Sequence, residues 1–414
     1  MERRLLATAC IALVVALLGS AETQAELQVN ASLEVAAIET DAAAGFPDGS
    51  LSKLRYGKAD NRMQLLGGYL QLQSDYRSTL NTKLAVNVNP QSDDPIGIID
   101  AFVQFRPLPW AGLRMRGKVG AFRPPLSFEH GADGWETLYT TNASAINSWV
   151  GEELGMLGLE LSLKRDLAST GGRRYWSLGG AVFYGNDTAG TLLSWRGWSI
   201  NNWQTNWGGT IDLPPLRFIN NNDGQSQRVE PFLEMDDRPG FYGFVELGEA
   251  RRWRVRMLTY DNQADPTVIE DGQYGWRANF LSVSAQWQLA RRTGLIAQWM
   301  DGVSAMGELR PTGRRAVDIG YQSSFIMLTQ SFAAHRLSLR YETFDVTDRD
   351  DYMNDDNNES GSGWTLSYQY RLNDHWRIGA EWLAVASDRP NRNQFGQAAQ
   401  QDEHMGMLVI RWTY

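Results

Sequence analysis

The chain has few thiol and imidazole side chains and only one long apolar run. Its single cysteine, Cys10, lies within that run near the amino terminus, and only four histidines occur in 414 residues. A chain processed after the run would hold no cysteine, which excludes disulfides and thiolate catalysis and is compatible with an oxidising periplasm. No Gly-x-Ser-x-Gly elbow, phosphate-binding loop or zinc-binding helix motif is present. The sequence therefore predicts a protein that is not an enzyme and that has no cofactor and no metal site.

The apolar run at the amino end has the features of a secretory signal peptide. Two arginines at positions 3 and 4 precede it, and small residues suit cleavage after Ala21 or Ala25. We predict a signal peptide over residues 1–25 and a single domain over 26–414. No later segment approaches the roughly 18 consecutive apolar residues that a transmembrane helix needs.

The composition is acidic and rich in glycine and aromatic residues. The formal net charge is −9, and the chain has 40 Gly, 16 Trp and 15 Tyr. An acidic balance argues against nucleic acid as a partner. Abundant Trp, Tyr and Gly favour a large barrel with aromatic residues at the membrane interfaces. The mean hydropathy of −0.39 does not exclude a membrane, because a barrel with a wet interior hides its lipid-facing residues in alternation.

Apolar and polar residues alternate over many segments, which gives a β-strand one apolar face and one wet face. Clear examples are the runs 27–35, 157–163 and 408–414. The last run ends on Tyr414 and resembles the carboxyl-terminal signature by which bacterial outer-membrane barrels are recognised for assembly. We therefore predict lipid-facing strands, with the barrel-assembly machinery as a partner that binds the Tyr414 strand.

Short and long connections alternate along the chain, which is typical of an outer-membrane barrel with periplasmic turns and extracellular loops. The long connections cover 39–60, 89–96, 121–153, 185–239, 262–273, 302–315, 346–362 and 387–402. This rhythm predicts an all-β fold, a transmembrane antiparallel up-and-down β-barrel of about 16 strands with both termini on the periplasmic side. Eighteen strands are the alternative, because Thr210–Leu216 and Val229–Met235 could form a further hairpin within 185–239, the longest predicted extracellular loop. The predicted location is the outer membrane, with the lipid bilayer and lipopolysaccharide as partners.

Basic residues form two columns on predicted strands. The columns, with one further basic strand position, are Arg114, Arg116 and Lys118, then Arg252, Arg254 and Arg256, and Lys83. A charge on the lipid face costs about 2–4 kcal/mol near the bilayer midplane, so these side chains are predicted to point into the lumen. Stacked like charges repel, and passing anions would relieve that repulsion, which predicts anion selectivity. Alternatively, the columns lie at the barrel ends or pair with lumen carboxylates such as Glu34, Glu160 and Glu342.

The segment 121–153 is too long for a simple turn and carries several carboxylates. Three of them, Glu129, Asp133 and Glu136, are candidate constriction-loop acids. If the segment folds into the lumen, they lie opposite or beside the basic columns and produce a transverse field at a constriction. The alternative is an exposed lid on the outer surface. We expect the inward arrangement.

The stretch from Gly117 to Glu129, GKVGAFRPPLSFE, resembles a motif of the phosphate-selective porin family of Gram-negative bacteria. In that family, too, a strand ends in a Gly-x-aromatic-basic-Pro-Pro stretch before the constriction loop. The resemblance implies that Arg114, Arg116, Lys118 and Arg123 line a channel, and that the protein forms a homotrimer. Lysine is scarce in this chain, which departs from the family and favours a broader preference for anions.

These features together predict an outer-membrane porin. It would be a passive diffusion channel for small hydrophilic solutes, with a preference for anions such as phosphate or other oxyanions. The alternatives are an outer-membrane β-barrel hydrolase, and a structural or adhesive barrel whose lumen is plugged.

Overall fold

Sixteen long strands make up most of the computed structural model, which describes residues 26–414 except 77–78, 132, 168–169, 172, 221–224 and 353–354. The predicted signal peptide, 1–25, lies outside the described residues. The strands, β1 to β16 in chain order, are Glu26–Thr40, Met63–Tyr76, Leu80–Val88, Ile96–Phe105, Leu113–Phe122, Met156–Asp166, Arg174–Tyr184, Gly240–Glu249, Trp253–Asp261, Arg277–Ala290, Thr293–Met306, Val317–Phe332, His335–Asp348, Glu359–Arg371, Trp376–Asp388 and Gln400–Thr413.

Each strand pairs antiparallel with its neighbours in chain order, and β1 pairs with β16, so the sheet closes into a barrel. The predicted count of 16 strands is confirmed, and the alternative of 18 is wrong. The residues that could have formed an extra wall hairpin give only the two-residue strands Ile211–Asp212 and Arg228–Val229, which pair with each other outside the barrel sheet.

Eight long loops connect the strands at one end of the barrel, and short turns connect them at the other. We number the long loops L1 to L8: 41–62, 89–95, 123–155, 185–239, 262–276, 307–316, 349–358 and 389–399. The helices are short and lie in L3 and L4: α1 is Ala145–Glu153, α2 is Thr191–Trp195 and α3 is Arg217–Asn220. Three-residue and six-residue 3₁₀ turns occur at Phe46–Asp48, Lys58–Asp60 and Pro390–Phe395. No helix within the described ranges is long and apolar enough to cross a bilayer.

The outer face of the barrel is apolar. Leu161 in β6 is 53 % exposed and Leu408 in β16 is 65 % exposed, although both are large apolar side chains. Leu163 and Ile410, two positions further along the same strands, share this face because side chains two positions apart point the same way. A closed barrel leaves no unpaired sheet edge, as a bilayer requires. An outer face of exposed, large apolar side chains is favoured only in contact with hydrocarbon. The barrel is therefore a transmembrane barrel of the outer membrane.

The inner face changes character along the barrel axis. Near the short turns it is charged and partly open, whereas near the long loops it is covered by L3 and L4 and carries aromatic side chains and buried ion pairs. Inward side chains of β10 and β12, including Phe280 and Tyr321, contact Trp149 of L3 at ring-centroid distances of 5.7 and 5.4 Å. Trp198 of L4 lies edge-on to Tyr321 at 6.1 Å. The half of the lumen near the long loops is thus occupied by a core of loop and wall side chains.

Candidate functional site

The register of β5 and β6 determines which way the first basic column points. Arg114 lies opposite Lys164, and Arg116 lies opposite Ser162. The intervening Met115 and Val119 are exposed on the outer face. Because successive strand residues point to opposite faces, the basic column lines the lumen near the short turns.

The members of this column differ in their partners. Arg114 Nη2 lies 2.5 Å from Asp166 Oδ2, and Lys118 Nζ lies 3.3 Å from Glu160 Oε2. Arg116 has no ion-pair partner in the part of the chain that the structure describes. A paired cation adds little to the field in the lumen, because its carboxylate cancels most of its charge. Arg116 therefore contributes more to the lumen field than its two neighbours do.

The second column begins at the turn before β9 and continues along that strand. Its first member is exposed to solvent, and its later members contact L3. Arg252 is exposed at the turn, with Nη1 3.6 Å from Glu249 Oε1. Arg254 donates through Nε to Gln286 Oε1 at 2.8 Å, and its guanidinium lies 3.9 Å from the centre of the Phe128 ring in L3. It forms no ion pair with a described carboxylate. Arg254 is thus a lumen cation beneath L3 whose charge is not cancelled.

Arg256, two residues further along β9, fixes the start of L3. Its Nε donates to Glu246 Oε2 at 2.9 Å, and Nη1 donates to the carbonyl of Pro125. The wall residue Ser284 likewise donates to the carbonyl of Leu126. These bonds hold the amino end of L3 against β9 and β10.

Lys83 and Arg123 complete the set of predicted basic residues. Lys83 Nζ lies 3.2 Å from Asp100 Oδ2. Arg123 is buried and donates to the carbonyls of Ile99 at 3.3 Å and Thr205 at 3.0 Å, so it faces loop and wall backbone and not open water. The structure brings four of the predicted cations together around one cavity of about 240 Å³ below L3: Lys83, Lys118, Arg123 and Arg256.

The predicted constriction-loop acids reach the barrel wall at separate places. Asp133 accepts a hydrogen bond from Gln71 Nε2 of β2 at 2.7 Å. Glu136 lies 3.5 Å from Arg411 Nη1 of β16. Glu129 is fully buried and lies 2.7 Å from Arg340 Nη1 of β13. Since β2, β9, β13 and β16 lie around the barrel, L3 crosses the lumen and contacts its wall on several sides.

Glu153, at the end of α1, joins L3 to L4. Its carboxylate accepts hydrogen bonds from the backbone N–H groups of Leu192 at 2.9 Å and Gly190 at 3.0 Å, and from Trp149 Nε1. Burial raises the pKa of Glu153 to about 7, although these three donors favour the charged form. The contact between the two loops therefore contains a carboxyl group that titrates near neutral pH.

Buried ion pairs fix the loops to one another and to the wall, and most of their members were not predicted as site residues. Lys53 of L1 and Arg389 of L8 both pair with Glu359 of β14, at 2.5 and 3.1 Å. Arg196 of L4 pairs with Glu152 of α1 at 2.6 Å. The role of Glu359 could have been predicted from the sequence. It occupies one of the alternate positions of β14 whose side chains point inward. The loop members gave no local signal, because their partners are distant in sequence.

The arrangement therefore has two parts. A charged vestibule opens toward the short turns and contains cations without carboxylate partners. Beyond it, L3 and L4 fill the lumen with a core held by buried ion pairs. One group of three carboxylates that could hold a metal ion lies among the described residues, at Asp187, Glu234 and Asp236. These features define a sixteen-stranded outer-membrane β-barrel with an inward-folded third loop and a basic vestibule.

Several solved outer-membrane proteins share this fold. The channel DcaP of Acinetobacter baumannii has a TM-score of 0.54 and 10 % identity, over 95 % of this chain and 99 % of that one. An anion-selective porin from Comamonas acidovorans has a TM-score of 0.51 and 10 % identity, over 94 % and 100 %. OprB of Pseudomonas putida has a TM-score of 0.51 and 12 % identity, over 94 % of each chain. No family model and no curated protein sequence matches the chain. At these identities the likeness establishes the barrel fold alone.

Proposed function

We propose that this protein is a porin, a passive diffusion channel for small hydrophilic solutes with a preference for anions. The observation that carries the proposal is that Arg116 and Arg254 face the lumen without a carboxylate partner in the described chain. Uncancelled charge in a narrow passage with low-dielectric walls raises the local concentration of the opposite ion. The charge lies near the vestibule mouth, where every solute from that side must pass.

The proposal includes the nature of the solute and the partners. Guanidinium groups suit oxyanions, since they present several donors in one plane. Phosphate and other small oxyanions are therefore the proposed solutes, in keeping with the resemblance of the Gly117–Glu129 stretch. We also propose that the chain forms a homotrimer, contacts lipopolysaccharide, and is assembled through its Tyr414 strand. The fold of an anion-selective porin gives this proposal a precedent on a related barrel.

The proposed channel performs no covalent chemistry. His335 and His375 lie near the short turns, and His404 Nδ1 lies 2.9 Å from Asp41 Oδ2 at the opposite rim. His130 stacks on Trp135 with ring centroids 3.7 Å apart. None of these imidazoles forms a hydrogen bond with a serine hydroxyl among the described residues, which supports a channel over a serine hydrolase.

Ion selectivity in planar bilayers tests the proposal. We expect purified protein in a potassium chloride gradient to give a reversal potential of anion-selective sign. The double variant Arg116→Ala/Arg254→Ala should lower the anion-to-cation permeability ratio at least about twofold, because the lumen loses two uncancelled cations. The control is Arg228→Ala, which removes an exposed arginine of L4 that pairs with Asp93 and Asp212. A cation-selective reversal potential for the unchanged protein would contradict the proposal.

A second candidate is a barrel that stays plugged. The observation that favours it is the core of Trp149, Trp198, Phe280 and Tyr321, which fills the half of the lumen near the long loops. Solutes pass only if L3 or L4 moves, because closely packed side chains leave no aqueous path through such a core. Complete absence of conductance at any voltage would favour this structural role over the porin.

A further inference from the structure

Three carboxylates meet where the two ends of L4 come together. Asp187 follows β7 closely, whereas Glu234 and Asp236 shortly precede β8. One ligand oxygen from each lies within 4.8 Å of the others. The residues between them, 188–233, contain the part of L4 that enters the lumen. The cluster therefore lies at the base of this lumen-filling segment, on the rim of the barrel that carries the long loops.

Asp187 supplies a second, separate observation. Its side chain is 1 % exposed, and its Oδ1 atom has no hydrogen-bond partner among the described residues. Its Oδ2 atom accepts a hydrogen bond from the backbone N–H of Met235 at 2.5 Å, which directs the carboxylate toward Glu234 and Asp236. A buried carboxylate oxygen without a donor is costly, since it has lost water and gained nothing in return. A positive partner at Asp187 Oδ1 would remove this cost.

Arg238, which lies beside the cluster, does not fill that role. Arg238 Nη2 lies 2.8 Å from Asp265 Oδ2, and its Nε lies 3.8 Å from Asp236 Oδ2. It is half exposed and forms no ion pair with Asp187. The cluster therefore consists of three carboxylates, and the adjacent guanidinium of Arg238 contacts only Asp236 among them.

We propose that Asp187, Glu234 and Asp236 bind a calcium ion that closes the base of L4. Calcium is bound by oxygen ligands at about 2.3–2.6 Å, and carboxylates can supply one or both of their oxygens to it. Oxygens within 4.8 Å of one another are compatible with one ion at that distance from each of them. Magnesium requires about 2.0–2.1 Å and near-ideal octahedral geometry, which three carboxylates already held by backbone N–H groups do not readily adopt.

The ion would fix the geometry of L4 and its neighbour. Gly185 N–H donates to Glu234 Oε2 at 2.7 Å, so the two ends of L4 already touch. The backbone N–H of Asp265 in L5 donates to Asp236, which adds a second loop to the site. A cation shared by both ends of L4 removes much of the freedom of the segment between them. Calcium binding should therefore favour the inward position of L4.

Terbium luminescence provides a direct test on the folded full-length barrel in detergent. Terbium replaces calcium at oxygen sites and is sensitised by nearby tryptophan. Trp276 is suitably placed, because its backbone N–H donates to the Asp187 carbonyl at 2.6 Å. We expect one saturable site that calcium competes for. Asp187→Asn and Asp236→Asn should each weaken terbium binding at least about tenfold, while Asp94→Asn, an exposed acid of L2, should leave it unchanged.

Folding is checked for each variant by the difference in gel mobility between unheated and heated samples. If Asp187→Asn does not fold, Asp236→Asn and Glu234→Gln still test the site, because both of these side chains are partly exposed. The absence of saturable terbium binding up to about 1 mM, the weak limit for extracellular calcium modules, would overturn the proposal. So would equal binding by the protein and all three variants, or displacement of terbium by magnesium as readily as by calcium.

Discussion

Arg340 and Glu129 form a fully buried ion pair at 2.7 Å that joins the barrel wall to L3. Arg340 also lies 2.8 Å from Glu342 Oε1 on its own strand and donates to the carbonyls of Asn142 and Ala143, each at 2.9 Å. Glu129 in turn accepts from Ser144 Oγ at 2.8 Å, next to the start of α1. The guanidinium of Arg340 thus fixes two parts of L3, the segment around Glu129 and the residues just before α1.

Replacing Glu129 should loosen L3 from the wall without unfolding the barrel. Removing one partner of a buried ion pair generally costs about 3–5 kcal/mol, and we expect the lower end for Glu129→Gln, because Glu342 still pairs with Arg340. In planar bilayers this variant should show more frequent or larger open events than the unchanged protein, and hydrogen exchange of residues 129–147 should accelerate.

The control for this prediction is Asp351→Asn, which breaks the partly exposed pair of Arg310 and Asp351 at 3.0 Å. Surface pairs contribute about 1 kcal/mol or less, so we expect no change in conductance or in the exchange of L3. Glu129→Gln protein with the gating and exchange of the unchanged protein would show that the pair does not restrain L3.

The contact between L3 and L4 should weaken as the pH rises. The pKa of Glu153 is raised from 4.5 to about 7 in the folded contact, so the packed state keeps a proton that the released state has lost between these values. Stability of the contact is therefore full below about pH 4.5 and falls as the pH rises through 7, by about 3 kcal/mol. We expect lower conductance at pH 5 than at pH 8. Glu153→Gln should abolish this dependence, and a dependence that persists in the variant would assign it to another group.

Removing a large side chain from the lumen core should release L4. Trp198 is fully buried between Trp149 and Tyr321, and its Nε1 donates to the carbonyl of Asp345 at 3.0 Å. Trp198→Ala should cost about 3–5 kcal/mol of packing free energy, because the surrounding wall cannot collapse into the cavity. Limited proteolysis of folded barrels should then cleave within 188–233 faster. Trp110→Ala, at a side chain that is 77 % exposed, is the matched control and should leave the cleavage rate unchanged.

Two adjacent positions on β6 test which face meets lipid. Leu161 lies on the outer face, and Ser162 lies opposite Arg116 on the inner face. Leu161→Arg should lower the free energy of unfolding from lipid vesicles by about 2–4 kcal/mol near the midplane, whereas Ser162→Arg should cost much less because the lumen side is wet. Urea titrations of both variants, followed by tryptophan fluorescence, measure the difference. A larger loss for Ser162→Arg would reverse the assignment of faces.

The barrel wall was predictable because its signal is local. A strand such as β6 needs only its own alternation of leucines and polar residues to fix its two faces, and the rhythm of turns fixes the number of strands. The count of 16 and the shared end of both termini follow from these local features. The uncertainty lay in 185–239, where two apolar stretches have the composition of strands. In the structure they pack into the loop core, and only two residues of each side form a ladder.

The interior of the lumen was harder to predict because its contacts connect distant parts of the chain. Glu129 and Arg340 are 211 positions apart, and neither has a sequence neighbour that indicates the other. A usable signal was present in β12, where Phe325, Ile326, Met327 and Leu328 are apolar on both faces. Such a strand is typical of a wall that is covered inside as well as outside. The roles of the basic columns and of the acids in L3 stay predictions that the conductance experiments address.

The seam between β1 and β16 carries a consequence for biogenesis. Glu34 and Arg411 meet across this seam although 377 positions separate them. The ladder that completes the cylinder therefore cannot form until the last strand has been delivered, and until then the first strand presents a bare row of amide and carbonyl groups. Pairing across so long a stretch of polypeptide is intrinsically slow. During that interval the unclosed chain must be kept apart from other copies of itself. The yield of folded protein in the cell should therefore depend strongly on the capacity of periplasmic holdase chaperones, even though the finished barrel is stable.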